Sequence, residues 1–153
     1  MTIYLGSDHA GFEVKERVQS VLEERGISYV DMGVNSNTKK VDFPDYAFMV
    51  GEKVAAEEAA GKAALGILAC GSAGGMVVAA NKVKGIRAVT AMNEHMAASG
   101  RIHDNANVLV LAGRFTALEY IPYIVEAFLD AEYDAVERRI RRMQKIADYE
   151  NQK

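Results

Sequence analysis

The sequence predicts an α/β fold built on a parallel sheet, and three observations carry that prediction. Short apolar segments alternate along the chain with segments of helical periodicity, the pattern of strands joined by crossover helices. The run Leu65-Gly66-Ile67-Leu68-Ala69 is apolar without interruption and ends in a glycine-rich loop, as a strand buried on both faces does. Polar clusters follow three predicted strands: Asp8-His9 after the first, Cys70-Gly71-Ser72 after the third and Arg114 after the fifth. Ligands of open parallel sheets bind outside the carboxyl ends of the strands, so these clusters mark one end of the sheet as a site. The expected architecture is a Rossmann-like three-layer αβα sandwich with five parallel strands, a single domain spanning residues 1–153.

Each element has its own local signal. Residues 2–6 form the first strand and run into Gly6-Ser7-Asp8-His9-Ala10-Gly11. Val14, Val18, Val21 and Leu22 follow at helical spacing, with Lys15, Glu16, Glu23 and Glu24 on the remaining surface and Gly26 at the expected end. Residues 27–32 are the second strand. The polar loop 33–40 after it is longer than most connections, which makes it a candidate for function. The alanine-rich stretch 45–61 after Pro44 favours helix. Residues 64–69 are the third strand, a helix runs from the glycine loop to about Lys82, and 85–90 is the fourth strand. A short helix at 93–100 gives way to a polar loop leading into the fifth strand, 107–111. Thr116 and Glu119 have capping-box spacing ahead of Ile121, Ile124, Val125 and Phe128, while Pro122 either kinks that helix or moves its start later. A last helix covers about residues 134–149.

Composition narrows the function. Half of the 153 residues are hydrophobic and a quarter charged, and the net charge of −3 gives no footprint for nucleic acid. One cysteine excludes an internal disulfide framework and fits a reducing cytoplasm. The N-terminus has no basic segment followed by a long apolar core, and no apolar run approaches the ~20 residues of a membrane span. The expectation is a soluble cytoplasmic protein.

Cys70 is the first candidate for chemistry. It stands where a strand meets glycines that let backbone N–H groups approach a ligand, ahead of a helix start that favours anions and biases a thiol toward thiolate. The alternative is a small buried hydrophobe at a strand end. His9 lies in a glycine-flanked loop beside Asp8, His103 in the polar loop before strand five, and His95 in an exposed-looking helix start. No close-spaced His/Cys pair has the form of a zinc motif, so no metal and no cofactor are expected. The first loop lacks G-x-G-x-x-G, and no ribose-binding acid stands ~20 residues beyond the second, which argues against a dinucleotide.

Several motifs stand together in order: Gly6-Ser7-Asp8-His9-Ala10-Gly11, Asp42-Phe43-Pro44, Cys70-Gly71-Ser72-Ala73-Gly74-Gly75, Ala79-Ala80-Asn81-Lys82, Gly85-Ile86-Arg87-Ala88 and Asn107-Val108-Leu109. Jointly they resemble the type B ribose-5-phosphate isomerases and their relatives acting on galactose 6-phosphate and allose 6-phosphate, over nearly the whole chain to about Tyr133. The resemblance implies metal-independent aldose–ketose isomerisation of a sugar phosphate through an enediolate, ribose 5-phosphate to ribulose 5-phosphate first. Another four- to six-carbon sugar phosphate, or a non-catalytic phosphosugar-binding module, is the alternative. Cys70 is then the base between C1 and C2, and His103 helps to open the sugar ring. Asp8 and Asp104 hold sugar hydroxyls, and Ser72 with the N–H groups of Gly71 and Gly75 stabilises the enediolate oxygens. His9 and Arg114 grip the phosphate with arginines of the last helix, Arg138 and Arg141, in a homodimer or dimer of dimers whose sites lie between subunits.

Two departures bear on the sugar. The chain reads Asp104-Asn105 where relatives of this type commonly have Asn-Asp, which replaces an amide by a carboxylate that can only accept. A Gly-Gly-Arg-His stretch is also missing, and Glu137 falls at the position of a phosphate arginine. Read by itself, the last helix carries an apolar stripe, Val136, Ile140, Met143 and Ala147, and a basic face, Arg138, Arg141, Arg142 and Lys145. That face is either solvated or reaches a partner's site.

Overall fold

The computed structural model describes residues 1–152. Five strands, β1 (Thr2–Ser7), β2 (Tyr29–Asp31), β3 (Ala64–Cys70), β4 (Ala88–Thr90) and β5 (Val108–Ala112), pair in parallel in the order β2-β1-β3-β5-β4. They alternate with α1 (Phe12–Glu24), α2 (Phe43–Ala59), α3 (Gly74–Ala80), α4 (Glu94–Asp104), α5 (Ile121–Asp130) and α6 (Glu137–Glu150). This is the Rossmann-like three-layer arrangement that the alternation predicts.

The central strand shows why the pattern reads so clearly. All seven residues of β3 are buried. Leu65, Ile67 and Ala69 face a core shared with α1 and α5 (Val14, Val18, Leu22, Ile124, Phe128), whereas Leu68 and Cys70 face a second core with α2 and α3 (Ala47, Val50, Val54, Met76, Ala80). Successive side chains point to opposite faces, and both faces are covered, so no polar position interrupts the run. Burying one such Leu, Ile or Phe contributes about 1.5–3 kcal/mol. The chain leaves β1 on one side for β2 and returns on the other for β3, so the sheet changes direction between β1 and β3. At such a reversal the flanking helices diverge and leave a crevice beyond the carboxyl ends.

The differences from the sequence reading have physical causes. α4 runs to Asp104 instead of stopping at Gly100, so His103 and Asp104 occupy its last turn and not a loop. Gly100 is not a stop signal. A β-carbon there would lie 2.8 Å from Val89 Cγ2, so the glycine lets α4 press against β4. The helix ends at Asn105, which takes the left-handed conformation (φ 49°, ψ 40°) tolerated by asparagine at a C-terminus. Lys15, expected on the surface, is buried at 3% exposure, paired with Asp31 and lying over the Phe12 ring. The capping box does not form, since the Thr116 hydroxyl has no partner; a 3₁₀ turn at Leu118–Tyr120 intervenes and α5 begins at Ile121, with Pro122 harmless in its first turn. Strands β2 and β4 are three residues each, shorter than the apolar segments suggest, because each is an edge strand paired on one side only.

In an open helix Gly100→Ala adds about 1 kcal/mol of stability. Here the clash with Val89 is expected to reverse the sign, to a loss of about 1–2 kcal/mol by urea unfolding. Adding Val89→Ala to Gly100→Ala should cost less than the two single losses summed, since the pair is in contact.

Candidate active site

The crevice is assembled from three strand ends brought level by register, with Ser7 opposite Ala69 and Cys70 opposite Ala112. After β1, Asp8 turns its carboxylate back on its own loop: Oδ1 accepts the N–H groups of Ala10 and Gly11, both at 2.9 Å. Asp8 is 6% exposed, and this Asx turn fixes it at the head of α1 while its second oxygen stays outside the turn. Gly11 is obligatory here, because a β-carbon would come within 2.2 Å of the Ala69 backbone. His9 faces the long loop, whose Val41 N–H donates to Nδ1 at 3.3 Å. An accepting Nδ1 places the ring proton on Nε2, the nitrogen left for another partner.

After β3 comes Cys70, 4% exposed. Two effects compete on its thiol. Burial pushes it up and Asp8 adds to that push, while the N–H groups of Ser72, Ala73 and Met76 directed at the sulfur pull it down. Burial wins. The thiolate bias expected from the helix start is therefore present but outweighed, and Cys70 rests as a protonated thiol. The loop that delivers these N–H groups is strained: Gly74 N–H donates to Ser72 O at 2.8 Å across Ala73, which is held at φ 64°, ψ −39°. Backbone in that region costs a non-glycine residue on the order of 1–3 kcal/mol, and it persists where the surroundings over-determine it.

After β5, Gly113 N–H donates to Cys70 O at 2.8 Å and Arg114 N–H to Gly71 O at 2.9 Å, which lays the Arg114 side chain across Gly71. The result is a cavity of about 230 Å³ lined by Asp8, His9, Ala10, Phe43, Cys70, Gly71, Ser72, Gly75 and Arg114. A buried thiol, converging N–H donors and a guanidinium suit removal of a proton beside a carbonyl in an anionic substrate. Among the described residues, no group of three or more His, Cys, Asp and Glu side chains stands close enough to hold a metal ion.

Phe43 also lines this cavity, although the sequence offered it only within the Asp42-Phe43-Pro44 motif and not as a site residue. Its ring packs so closely on Gly75 that a β-carbon there would sit 2.6 Å from it. The signal available was its place just before Pro44 at a helix start, which says nothing about where the ring points.

Four expected site residues are elsewhere. His103 and Asp104 end α4 at the opposite, amino end of the sheet; the next residue, Asn105, borders Met1, Ala63 and Ala64, where β1 and β3 begin. About 20 Å of strand separates that end from Cys70 at ~3.3 Å per residue. The His103 ring is exposed, its Nδ1 3.0 Å from Ser99 Oγ, and Asp104 lies in a shallow depression with Asn93 and Ser99. Arg138 and Arg141 lie on the exposed face of α6, where Arg141 pairs with Glu137 at 3.6 Å. The fold thus gathers Asp8, His9, Cys70, Gly71, Ser72, Gly75 and Arg114, and leaves His103, Asp104, Arg138 and Arg141 as a second group.

A thiol whose folded value is raised makes its contribution to stability below the ordinary thiol range and loses it as pH climbs past the raised value. Alkylation of Cys70 by iodoacetamide is accordingly expected to be slower than that of free cysteine at pH 7, and to keep accelerating above the usual thiol range. A rate that levels off near neutrality would contradict the dominance of burial.

The geometry has counterparts among known proteins. The ribose/galactose isomerase family model matches residues 3–146. A probable ribose-5-phosphate isomerase B of Mycoplasma pneumoniae is 40% identical over 151 residues, covering 99% of this chain and 96% of the relative. The solved ribose-5-phosphate isomerase B of Clostridium thermocellum superposes with a TM-score of 0.92 at 38% identity, covering 99% of both chains. That of Mycoplasma genitalium with bound ribulose-5-phosphate superposes with a TM-score of 0.91 at 40% identity, covering 99% of this chain and 97% of the other. With its fold and almost its full length matched, the chain belongs to the ribose/galactose isomerase family.

Proposed function

We propose that the chain interconverts ribose 5-phosphate and ribulose 5-phosphate, as one sugar-phosphate isomerase domain working in a cytoplasmic homodimer. The observation that carries the reading is the crevice in which the Cys70 thiol meets the N–H groups of the following loop and the Arg114 guanidinium. The Mycoplasma genitalium relative with bound ribulose-5-phosphate supports the choice of sugar.

In the open-chain aldose, the Cys70 thiolate takes the proton from C2. The C–H pair becomes the C1–C2 double bond and the carbonyl pair moves onto O1, giving the enediolate. Ser72 and the N–H groups of Gly71 and Gly75 donate to the oxygens where this charge develops. Returning the proton to C1, while the O2 proton passes to O1, gives the ketose. Asp8 holds a sugar hydroxyl with the oxygen free of its turn, and His9 and Arg114 take the phosphate, the guanidinium through its fork.

The second group of residues explains the dimer. His103 cannot reach a sugar at its own chain's Cys70, with about 20 Å of strand between the two ends. A second copy supplies it: the partner's His103 moves a proton between O1 and the ring oxygen to open the sugar, the partner's Asp104 holds a hydroxyl, and the partner's Arg138 and Arg141 complete the phosphate grip. α6, with Ile140 at 50% exposure and Val136 just ahead of the helix at 39%, packs on that partner. A second reading, another four- to six-carbon sugar phosphate, rests on Asp104 and on Glu137 beside Arg141.

Proton NMR in heavy water tests the reaction. Ribose 5-phosphate is expected to lose its C2 proton signal as ribulose 5-phosphate appears, and Cys70→Ala to abolish both. Exchange seen instead with a six- or four-carbon phosphosugar would move the assignment to the second reading, and binding without turnover, unchanged in Cys70→Ala, to a binding module. Ser72→Ala is expected to lower kcat by about 10²-fold with little change in KM. Because the base must be deprotonated and burial raises its value, kcat/KM should rise with pH from 6 upward and bend only above the ordinary thiol range.

A further inference from the structure

Helix α6 is nearly bare. Of its fourteen residues one is buried, and that residue is an arginine, Arg139, at 9% exposure. Within its own chain, a helix with so little apolar anchorage depends on polar ties, and a guanidinium leaves water only for strong partners. Arg139 has them. Its Nη1 pairs with the Asp134 carboxylate and lies 3.4 Å from the Asp134 carbonyl oxygen. The Asp134 N–H in turn donates to Ile102 O at 3.1 Å, on the residue just before His103.

The other end of α6 is tied in the same manner. Gly85 N–H donates to Glu150 Oε2 at 2.9 Å. Gly85 O accepts from Arg87 Nη1 at 2.9 Å and from Asn107 Nδ2 at 3.0 Å. Arg87 Nε then donates to Asn105 O at 2.6 Å, on the residue just after Asp104. The two backbone carbonyls that flank His103-Asp104 are thus each connected to one end of α6, the first through Asp134 and Arg139, the second through Arg87, Gly85 and Glu150.

From this arrangement we propose that Arg139 and Glu150 are positioning residues: they lock the basic face of α6 to the His103-Asp104 turn as one rigid unit. The inference rests on the isomerase reading, in which that unit is what one subunit offers to the site of the other. Between Asp104 and Glu137 the chain passes through β5 and α5, so local sequence does not set the spacing between the ring-opening histidine and the arginines on α6. The latches set it. In the isomerase reading that spacing has to match the span of the substrate from its carbonyl end to its phosphate, so the latches also select sugar length. Displacing a group that orients substrate by about 1 Å costs on the order of 10²-fold in rate.

The test uses mixed dimers. A Cys70→Ala chain paired with a His103→Ala chain has one working site, made from the Cys70 of the second and the His103 of the first. Arg139→Met is placed on one chain or the other, and isomerisation of ribose 5-phosphate and of a six-carbon aldose phosphate is followed. The proposal expects kcat/KM for the five-carbon sugar to fall about 10²-fold when Arg139→Met is on the chain that supplies His103, with a smaller loss for the six-carbon sugar. Glu150→Ala should behave likewise, and Glu150→Gln, which keeps an acceptor for Gly85, should restore most of the loss. An equal loss from either chain, or equal losses for both sugars, marks a general folding defect and overturns the proposal. A mixed dimer inactive before Arg139 is changed, while the unsubstituted protein turns over, overturns the shared site beneath it; an unsubstituted protein inactive on phosphosugars overturns the isomerase reading itself.

Discussion

The structure depends on the pairing of β3 with β1 on one side and β5 on the other. That ladder closes both edges of β3 while the helix layers cover its two faces, so its backbone pairs with the flanking strands and the residues that continue them. Its register decides the chemistry, since Ser7 beside Ala69 and Cys70 beside Ala112 bring three loops to one level. A slip of one residue would turn Cys70 from the α2–α3 layer to the α1–α5 layer and carry the thiol out of the crevice.

The crevice shows opposing effects arranged around one sulfur. The same burial that shields Cys70 from water holds it protonated, and the N–H groups that stabilise its anion come from a strained loop at Ala73. A fully exposed thiol would ionise more readily, yet hydrogen bonds to its anion would be weaker in water. The crevice favours converging donors over a readily ionised thiol.

The two ends of the sheet have different means of holding their residues in place. At the carboxyl end, positions are set by the sheet itself and by the close approach of Gly11 to the Ala69 backbone and of Gly75 to the Phe43 ring. At the amino end, a polar network takes over: Asn107, fully buried, accepts from Arg87 N–H at 2.8 Å and donates to Glu58 at 3.0 Å, in the same cluster that holds the turn after Asp104. Such a network rigidifies when every member is satisfied, which holds the turn after Asp104 in one arrangement.

Much of this was legible in the sequence because it is local. Strand and helix periodicities, the glycine loop after the central strand and the clusters at three strand ends follow from side-chain spacing and backbone freedom, and they led to the sheet and to seven of the eleven expected site residues in one crevice. What required the tertiary structure is what arises between segments. Gly100 reads as a helix stop until Val89 is seen against it; Lys15 reads as surface until Asp31 meets it; Arg139 reads as one more charge on a basic helix until Asp134 folds over it. The distance between Cys70 and His103 is of the same kind. No residue type encodes it, because it is the length of the strands between them, and it separates the expected site residues into two groups, with Cys70 and His103 at opposite ends of the sheet.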